Sequence, residues 1–216
     1  VRKERSIENI CDQVGISERV LKATIEDLRD EGYVIEEIDG SYALIKKPAA
    51  SYNRYKEDWN GDKIIRFGSV ADSHLGNRWQ QLTFLHHLYD IFQKEGIKTV
   101  YHAGDITDGF YKNRPGHIYE LIPGLVGADQ QAEYVVQNYP KRNDIVTKFI
   151  SGNHDDTHIQ NVGVEIGKMV AKERPDMVYL GILNAKIELT PNCILELNHP
   201  IDGAAYALSY SIQKYI

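Results

Sequence analysis

The stretch Ile145-Val-Thr-Lys-Phe-Ile150, followed by Ser151-Gly-Asn-His-Asp155, decides the fold of this chain. The first six residues are mostly β-branched or apolar, which is typical of a buried strand. The next five are small or polar, and Gly152 lets the backbone turn sharply where the strand ends. Gly-Asn-His-Asp directly after a strand is the most specific functional signal in the sequence.

Three further polar blocks occur in order along the chain, Asp72-Ser73-His74, Gly104-Asp105 and Asn198-His199, and each follows an apolar run that predicts a strand. Carboxylate and amide oxygens suit hard divalent cations, and imidazole suits borderline ones. A shared carboxylate can hold two cations roughly 3.5–4 Å apart for attack on phosphorus. The layout therefore predicts a two-metal site that cleaves phosphoesters.

Outward from these blocks, strands alternate with helices from Lys63 onward, which predicts a layered α/β domain with helices on the outside. Strands are predicted over residues 64–70, 99–102, 145–150, 177–180, 185–189 and 194–197. Helices are predicted over residues 80–94, 128–139, 162–173 and 203–215.

The polar blocks resemble those of the calcineurin-like metallophosphoesterases, whose pattern runs Asp-x-His, Gly-Asp-x-x-Asp, Gly-Asn-His-Asp or -Glu, a lone His, and a final Gly-His-x-His. The matching residues are Asp72 and His74, then Gly104, Asp105 and Asp108, then Gly152 to Asp155, and finally His199. The resemblance implies two packed sheets flanked by helices, with metal ligands on loops at strand ends.

The resemblance also implies a role for each matched residue. The implied metal ligands are Asp72, His74, Asp105, Asn153 and His199, with Asp105 bridging two divalent ions of manganese, iron or zinc. His154 is the implied general acid or stabiliser of the phosphoryl oxygens, and Asp155 is expected to orient His154 or a neighbouring ligand. Asp108 is expected to support its loop. Loop residues His117, His158, Arg78 and Arg114 are further candidates for contact with phosphate.

No histidine follows His199, so the closing Gly-His-x-His block of the family pattern is absent. In such proteins this block gives each metal one ligand. The sequence thus predicts a phosphoesterase domain over residues 63–216 that is truncated at its C-terminus.

Residues 1–47 follow a different pattern, in which two helices precede two short strands that meet at Asp39-Gly40, a dipeptide suited to a tight hairpin turn. This order resembles a winged helix-turn-helix, with residues 17–31 in the place of the recognition helix. Residues 48–62 are expected to form a linker.

Charge leaves the partner of this N-terminal module open. Its second helix carries more acidic than basic residues, which disfavours phosphate contact. The candidate nucleic-acid contacts are Arg19, Lys22, Lys46 and Lys47. Docking of a protein partner or dimerisation is the alternative.

Composition sets outer bounds on function. The net charge of −6 gives no global attraction for polyanions. The sequence contains neither a run of about 18 apolar residues nor a secretory leader, so no membrane span is expected. Cys11 and Cys193 lack a disulfide framework, which favours a reducing compartment and a cytoplasmic location.

Three functional hypotheses remain at this stage. Asp72-Ser-His-Leu-Gly76 is similar to the first block of the double-strand-break repair nucleases, which together with the winged helix favours a phosphodiesterase or nuclease acting on DNA. The alternatives are a phosphatase acting on a protein or small molecule, with the N-terminal module as a docking site, and a non-catalytic nucleic-acid-binding protein.

Overall fold

The computed structural model describes residues 5–30, 34–38, 40–46 and 53–200. The chain divides into two compact units, Val1–Ser51 and Tyr52–Ile216. The helix predicted over residues 203–215, together with Lys47, lies outside the described residues.

The N-terminal unit contains the predicted pair of helices and the hairpin. Its elements are β1 (Arg5–Ser6), α1 (Ile7–Val14), α2 (Glu18–Asp30), β2 (Val34–Ile38) and β3 (Ser41–Lys46), and the antiparallel sheet has the order β1-β3-β2. Ser6 caps α1 by accepting a hydrogen bond from the Asn9 amide. Leu21, Ile25 and Tyr42 form the buried centre of the unit.

The second unit contains two sheets. Its strands are β4 (Asn53–Lys56), β5 (Gly68–Val70), β6 (Thr99–His102), β7 (Val146–Ser151), β8 (Met177–Ile182), β9 (Asn184–Thr190) and β10 (Cys193–Asn198). One sheet has the parallel order β5-β6-β7-β8, and the other has the order β10-β9-β4. Strand β4 pairs in parallel with β9, so part of the segment expected to be a linker is a strand of this unit.

The helices of the second unit are α3 (Leu82–Lys94), α4 (Ala128–Asn138), α5 (Asn153–Val162) and α6 (Ile166–Glu173), with a short 3₁₀ turn at His117–Tyr119. The helix predicted over residues 162–173 begins only at Ile166, because Val162 is the last residue of α5 and Gly163, with a left-handed φ of 72°, ends that helix. The first strand is also shorter than predicted. It begins only at Gly68, and Ile64 is 78% exposed.

Two apolar layers hold this unit together. Alternate residues of β9, namely Ala185, Ile187 and Leu189, are buried against Tyr101 and Ile150 of the parallel sheet. On the opposite face of the parallel sheet, Val100 and Phe149 pack in a second cluster with residues of α3, α4 and α6, including Tyr89, Val135 and Val170. The predicted α/β fold, with two packed sheets and flanking helices, is confirmed. None of the described helices has the length and apolar character needed to cross a membrane.

Candidate metal centre

The site is built on loops that leave the strands β5, β6 and β7 at their carboxyl ends, where the parallel strands meet at one sheet edge. Asp72, His74 and Asp105 take positive φ angles of 53°, 43° and 56°, which non-glycine residues rarely adopt. Two backbone hydrogen bonds hold these conformations: the Asp72 amide donates to the Gly104 carbonyl, and the His74 amide donates to the Asp105 carbonyl, both at 3.0 Å. The fold thus imposes an unusual backbone on the predicted ligands.

Asp105 lies between two imidazoles. Its Oδ2 is 3.7 Å from His74 Nε2 and 3.2 Å from His199 Nε2. On the His74 side, Asp72 Oδ1 lies 3.9 Å from the same Nε2. Asp72, His74 and Asp105 place one ligand atom each within 4.8 Å of one another, which suits a shared cation. A single buried carboxylate therefore faces two groups of candidate ligands.

On the other side of Asp105, three acceptor atoms converge. His199 Nδ1 donates to the Ala103 carbonyl at 2.8 Å, so Nε2 of the neutral ring carries a lone pair. This Nε2 faces Asn153 Oδ1 at 2.9 Å as well as Asp105 Oδ2. Asn153 Nδ2 donates to Tyr111 Oη at 2.7 Å, which keeps the amide oxygen turned toward His199. Acceptors that face one another at such distances repel unless a cation or a proton lies between them.

The repulsion between these acceptors is reflected in the pKa of His199. Burial lowers the pKa of His199, but the hydrogen bond and negative charge of Asp105 outweigh burial and raise the pKa to about 9. Burial raises the pKa of Asp105, yet His199 lowers it below the usual range. Without a cation, a proton on His199 thus relieves the repulsion. The donor set of carboxylate, amide and imidazole fits a divalent transition metal at this place.

Asp108 organises the residues around the site. Its buried carboxylate accepts hydrogen bonds from His74 Nδ1 at 3.1 Å, from Asn77 at 3.0 Å and from His117 Nε2 at 3.1 Å. The Tyr111 amide donates to His117 Nδ1, which places the proton of that ring on Nε2. Burial raises the pKa of Asp108, but the hydrogen bonds from His74 and Asn77, together with the two imidazoles of His74 and His154, lower it overall. Because His74 uses Nδ1 for Asp108, its Nε2 is left for a metal.

His154 is held by backbone groups at the start of α5. Its amide donates to Asp105 Oδ1 at 2.9 Å, and its ring Nδ1 lies 2.8 Å from the Asp108 carbonyl. Since a carbonyl only accepts, Nδ1 carries the proton and Nε2 is the ring atom left for a substrate. The ring packs edge-on against His74 and Tyr111, with centroid distances of 4.4 and 5.0 Å.

A family model described as calcineurin-like phosphoesterase matches residues 65–194, which is more than half of the chain. The chain belongs to the calcineurin-like phosphoesterase family. The domains of this family hydrolyse phosphoesters with divalent metal ions. No curated protein sequence matches the chain significantly. His199 lies beyond the matched residues, so its place in the phosphoesterase site rests on its contacts with Asp105 and Asn153.

Asp155 has a different task in the phosphoesterase domain from the one expected. Its buried carboxylate accepts hydrogen bonds from the amides of Gly152, Ile106 and Thr107, and also from the Thr107 hydroxyl. His154, one of the two partners expected for Asp155, has its ring held by the Asp108 carbonyl instead. Burial raises the pKa of Asp155, and the hydrogen bonds from Gly152 and Thr107 oppose this shift. Asp155 ties the start of α5 to the loop after β6.

The other candidates for contact with phosphate bond to protein groups. His117 is fully buried beneath Asp108, and His158 is buried beside Gln131, where burial lowers its pKa to about 4. Arg78 Nε donates to the Leu121 carbonyl, and Arg114 pairs with Glu120 at 2.7 Å. His117, Arg78 and Arg114 contact loop residues, and His158 contacts Gln131 of α4.

Sequence reasoning missed Tyr111, which fixes the Asn153 amide and packs on the His154 ring. It follows Asp105 by six residues in an irregular loop, where no periodicity shows the direction of a side chain. The aromatic pair Phe110-Tyr111 directly after Gly109 is the only local signal. That signal alone does not distinguish a residue of the site from loop packing.

Gly152 is required by the close approach of Asp105. A Cβ at this position would lie 2.1 Å from Asp105 Oδ1 and 2.5 Å from the Asp105 amide. We therefore expect Gly152→Ala to displace the Asp105 carboxylate, with a loss of about 1–3 kcal/mol in the free energy of unfolding and weaker metal binding. Urea denaturation and calorimetric titration with Mn²⁺ measure both effects.

Gly116→Ala is the matched control, because a Cβ there meets nothing within 4 Å. Equal stability and equal metal affinity of the two variants would show that the close contact at Gly152 is unimportant.

Proposed function

We propose that this chain is a phosphodiesterase or nuclease whose attacking water is activated by two divalent cations. The observation that supports this proposal is the position of Asp105 Oδ2 between His74 Nε2 and His199 Nε2. A carboxylate that faces two separate groups of acceptors suits two cations better than one.

Each cation has its own ligands in this proposal. The first would be held by Asp72, His74 and Asp105, and the second by Asp105, Asn153 and His199. The mixture of oxygen and imidazole ligands suits manganese, iron or zinc. When bound, the cations lower the pKa of a water molecule and neutralise charge on the phosphoryl oxygens.

His154 acts on the substrate in this proposal. The Asp108 carbonyl fixes the proton on Nδ1, so a second proton on Nε2 can pass to the leaving alkoxide or donate a hydrogen bond to a phosphoryl oxygen. Asp155 supports His154 indirectly, by fixing the backbone at the start of α5.

The N-terminal unit binds the partner in both candidate functions, DNA for the nuclease and a protein for the phosphatase. Its two helices and hairpin support a winged helix-turn-helix that binds DNA, with exposed Arg19 as a candidate phosphate contact. A specific observation favours the alternative, a phosphatase for which this unit docks a protein. Lys22 is paired with Glu18 at 2.7 Å, and Arg29 with Glu26 at 2.6 Å, so acidic neighbours already neutralise two bases of α2.

Hydrolysis of two model esters separates these functions. The proposal predicts that, with Mn²⁺, bis-(p-nitrophenyl) phosphate is cleaved faster than p-nitrophenyl phosphate. Faster cleavage of the monoester would favour the phosphatase. Turnover of neither ester, together with retained affinity for DNA, would favour a non-catalytic binding protein.

Metal binding is expected to release a proton from His199. The pKa of His199 is about 9 in the metal-free fold against 6.5 for the free side chain, so its stabilising effect is complete below pH 6.5 and is lost as pH rises through 9. A cation needs the neutral ring, and at pH 7.5 it must displace that proton. Calorimetry in buffers of different ionisation enthalpy is expected to show about one more proton released by the unsubstituted chain than by His199→Asn. Equal proton release would contradict this assignment.

A further inference from the structure

A cavity of about 560 Å³ opens beside the candidate metal centre. Its walls come from the loop after β5 and from the first half of α3. Asp72, His74, Asp108 and His154 line the cavity and also belong to the site described above. A phosphoester held at the metal centre would therefore have the cavity within reach of one of its organic groups. The volume lies in the range of small-molecule sites, about 300–1,000 Å³.

The part of the lining that comes from residues 79–88 is largely apolar and aromatic. Trp79 is 68% exposed and Phe84 is 65% exposed, and Leu82, Leu85 and Leu88 belong to the same part of the lining. Two large exposed aromatic side chains in the lining of one cavity offer faces on which a planar ring can stack.

Trp79 is held in place by its neighbours. Its amide donates to Asn77 Oδ1 at 2.9 Å, and its carbonyl accepts from Gln81 Nε2 at 3.0 Å. The side chain of the next residue, Gln80, accepts a hydrogen bond from the Gly76 amide at 3.0 Å. This bond fixes the turn to the loop that carries His74. The indole is thus presented from an ordered turn, which lowers the entropic cost of stacking.

The charge of the cavity limits what it can bind. Of the described residues that line it, Asp72, Asp108 and Glu120 are acidic and none is Lys or Arg. Outside the metal centre, the described part of the lining thus offers no cationic side chain to a further phosphate group. An uncharged planar group needs no such side chain.

We propose that this cavity binds an uncharged heteroaromatic ring carried by the phosphoester, of the size of a nucleobase, stacked against Trp79 and Phe84. This inference rests on the proposed function and narrows its substrate class. The metal centre holds the phosphate, and the cavity selects esters that carry such a ring. A paired base inside an intact duplex cannot enter the cavity, so the substrate presents a single unpaired nucleotide unit.

Ring binding is tested without metal and without turnover, so that its failure differs from failure of the proposed hydrolysis. The chain has two tryptophans, and in a Trp59→Phe background Trp79 alone reports the site by fluorescence. Adenosine is the probe, and ribose is the matched ligand without a base. We expect saturable quenching with adenosine and none with ribose.

Phe84→Ala in the same background is expected to weaken adenosine binding about tenfold, the effect of losing one stacking partner. Tyr119→Ala is the control, because Tyr119 is 75% exposed and does not line the cavity. Equal responses to adenosine and ribose, or a Phe84→Ala variant that binds adenosine as the control does, would overturn the proposal.

Discussion

Asp105→Asn is expected to reduce the affinity of this chain for metal more than about 100-fold. Substitution of a residue that only supports a ligand costs up to about 100-fold, and loss of a ligand should cost more. The substitution replaces the carboxylate that faces both His74 and His199 with a neutral amide of the same shape. Both groups of ligands then lose their shared negative charge. Calorimetric titration with Mn²⁺ measures the affinity and the number of ions bound.

Asp58→Asn is the control for this change, since Asp58 is an exposed acid outside the site. The control is expected to bind Mn²⁺ as the unsubstituted chain does. An Asp105→Asn variant that still binds two ions with unaltered affinity would rule out the bridging role.

His154→Ala is expected to lower the turnover of bis-(p-nitrophenyl) phosphate about 10²–10⁴-fold, the usual contribution of a positioned acid or base. Metal affinity is expected to change little, because the His154 amide that donates to Asp105 remains in the alanine variant. This separation of turnover from metal binding distinguishes a residue that acts on the substrate from a metal ligand.

The control for His154 is His87→Ala, which removes an exposed imidazole from α3. Turnover of this control is expected to equal that of the unsubstituted chain. If His154→Ala lost its metal together with its activity, His154 would belong among the ligands and its proposed role would be wrong.

Much of the fold was open to prediction from local patterns. The apolar runs at residues 99–102 and 185–189 match β6 and β9, because buried strands need β-branched or alternating apolar residues. The order of the polar blocks also placed Asp105, Asn153 and His199 in one site, since each follows a strand and the strand ends meet.

Other features depended on contacts between distant parts of the chain. Strand β4 is short and polar in sequence, and it forms because the edge of β9 is available for pairing. The helix α5 begins inside the Gly-Asn-His-Asp block, where Asp155 bonds the Gly152 amide and the loop after β6. Local propensity carries no information about such partners.

The residues that hold the site residues in place could not be predicted from the sequence either. The loop after β6 brings His117 into contact with Asp108, and Tyr111 into contact with Asn153, at the candidate metal centre. The tautomers of these histidines depend on backbone donors and acceptors, which a motif does not record.

The most direct test of this account is a crystal structure of the chain grown with MnCl₂, with anomalous difference maps to locate the metal. The account predicts two peaks about 3.5–4 Å apart, both at bonding distance from the Asp105 carboxylate, with His74 on one and His199 on the other. A map with manganese bound elsewhere and none at Asp105 would contradict it.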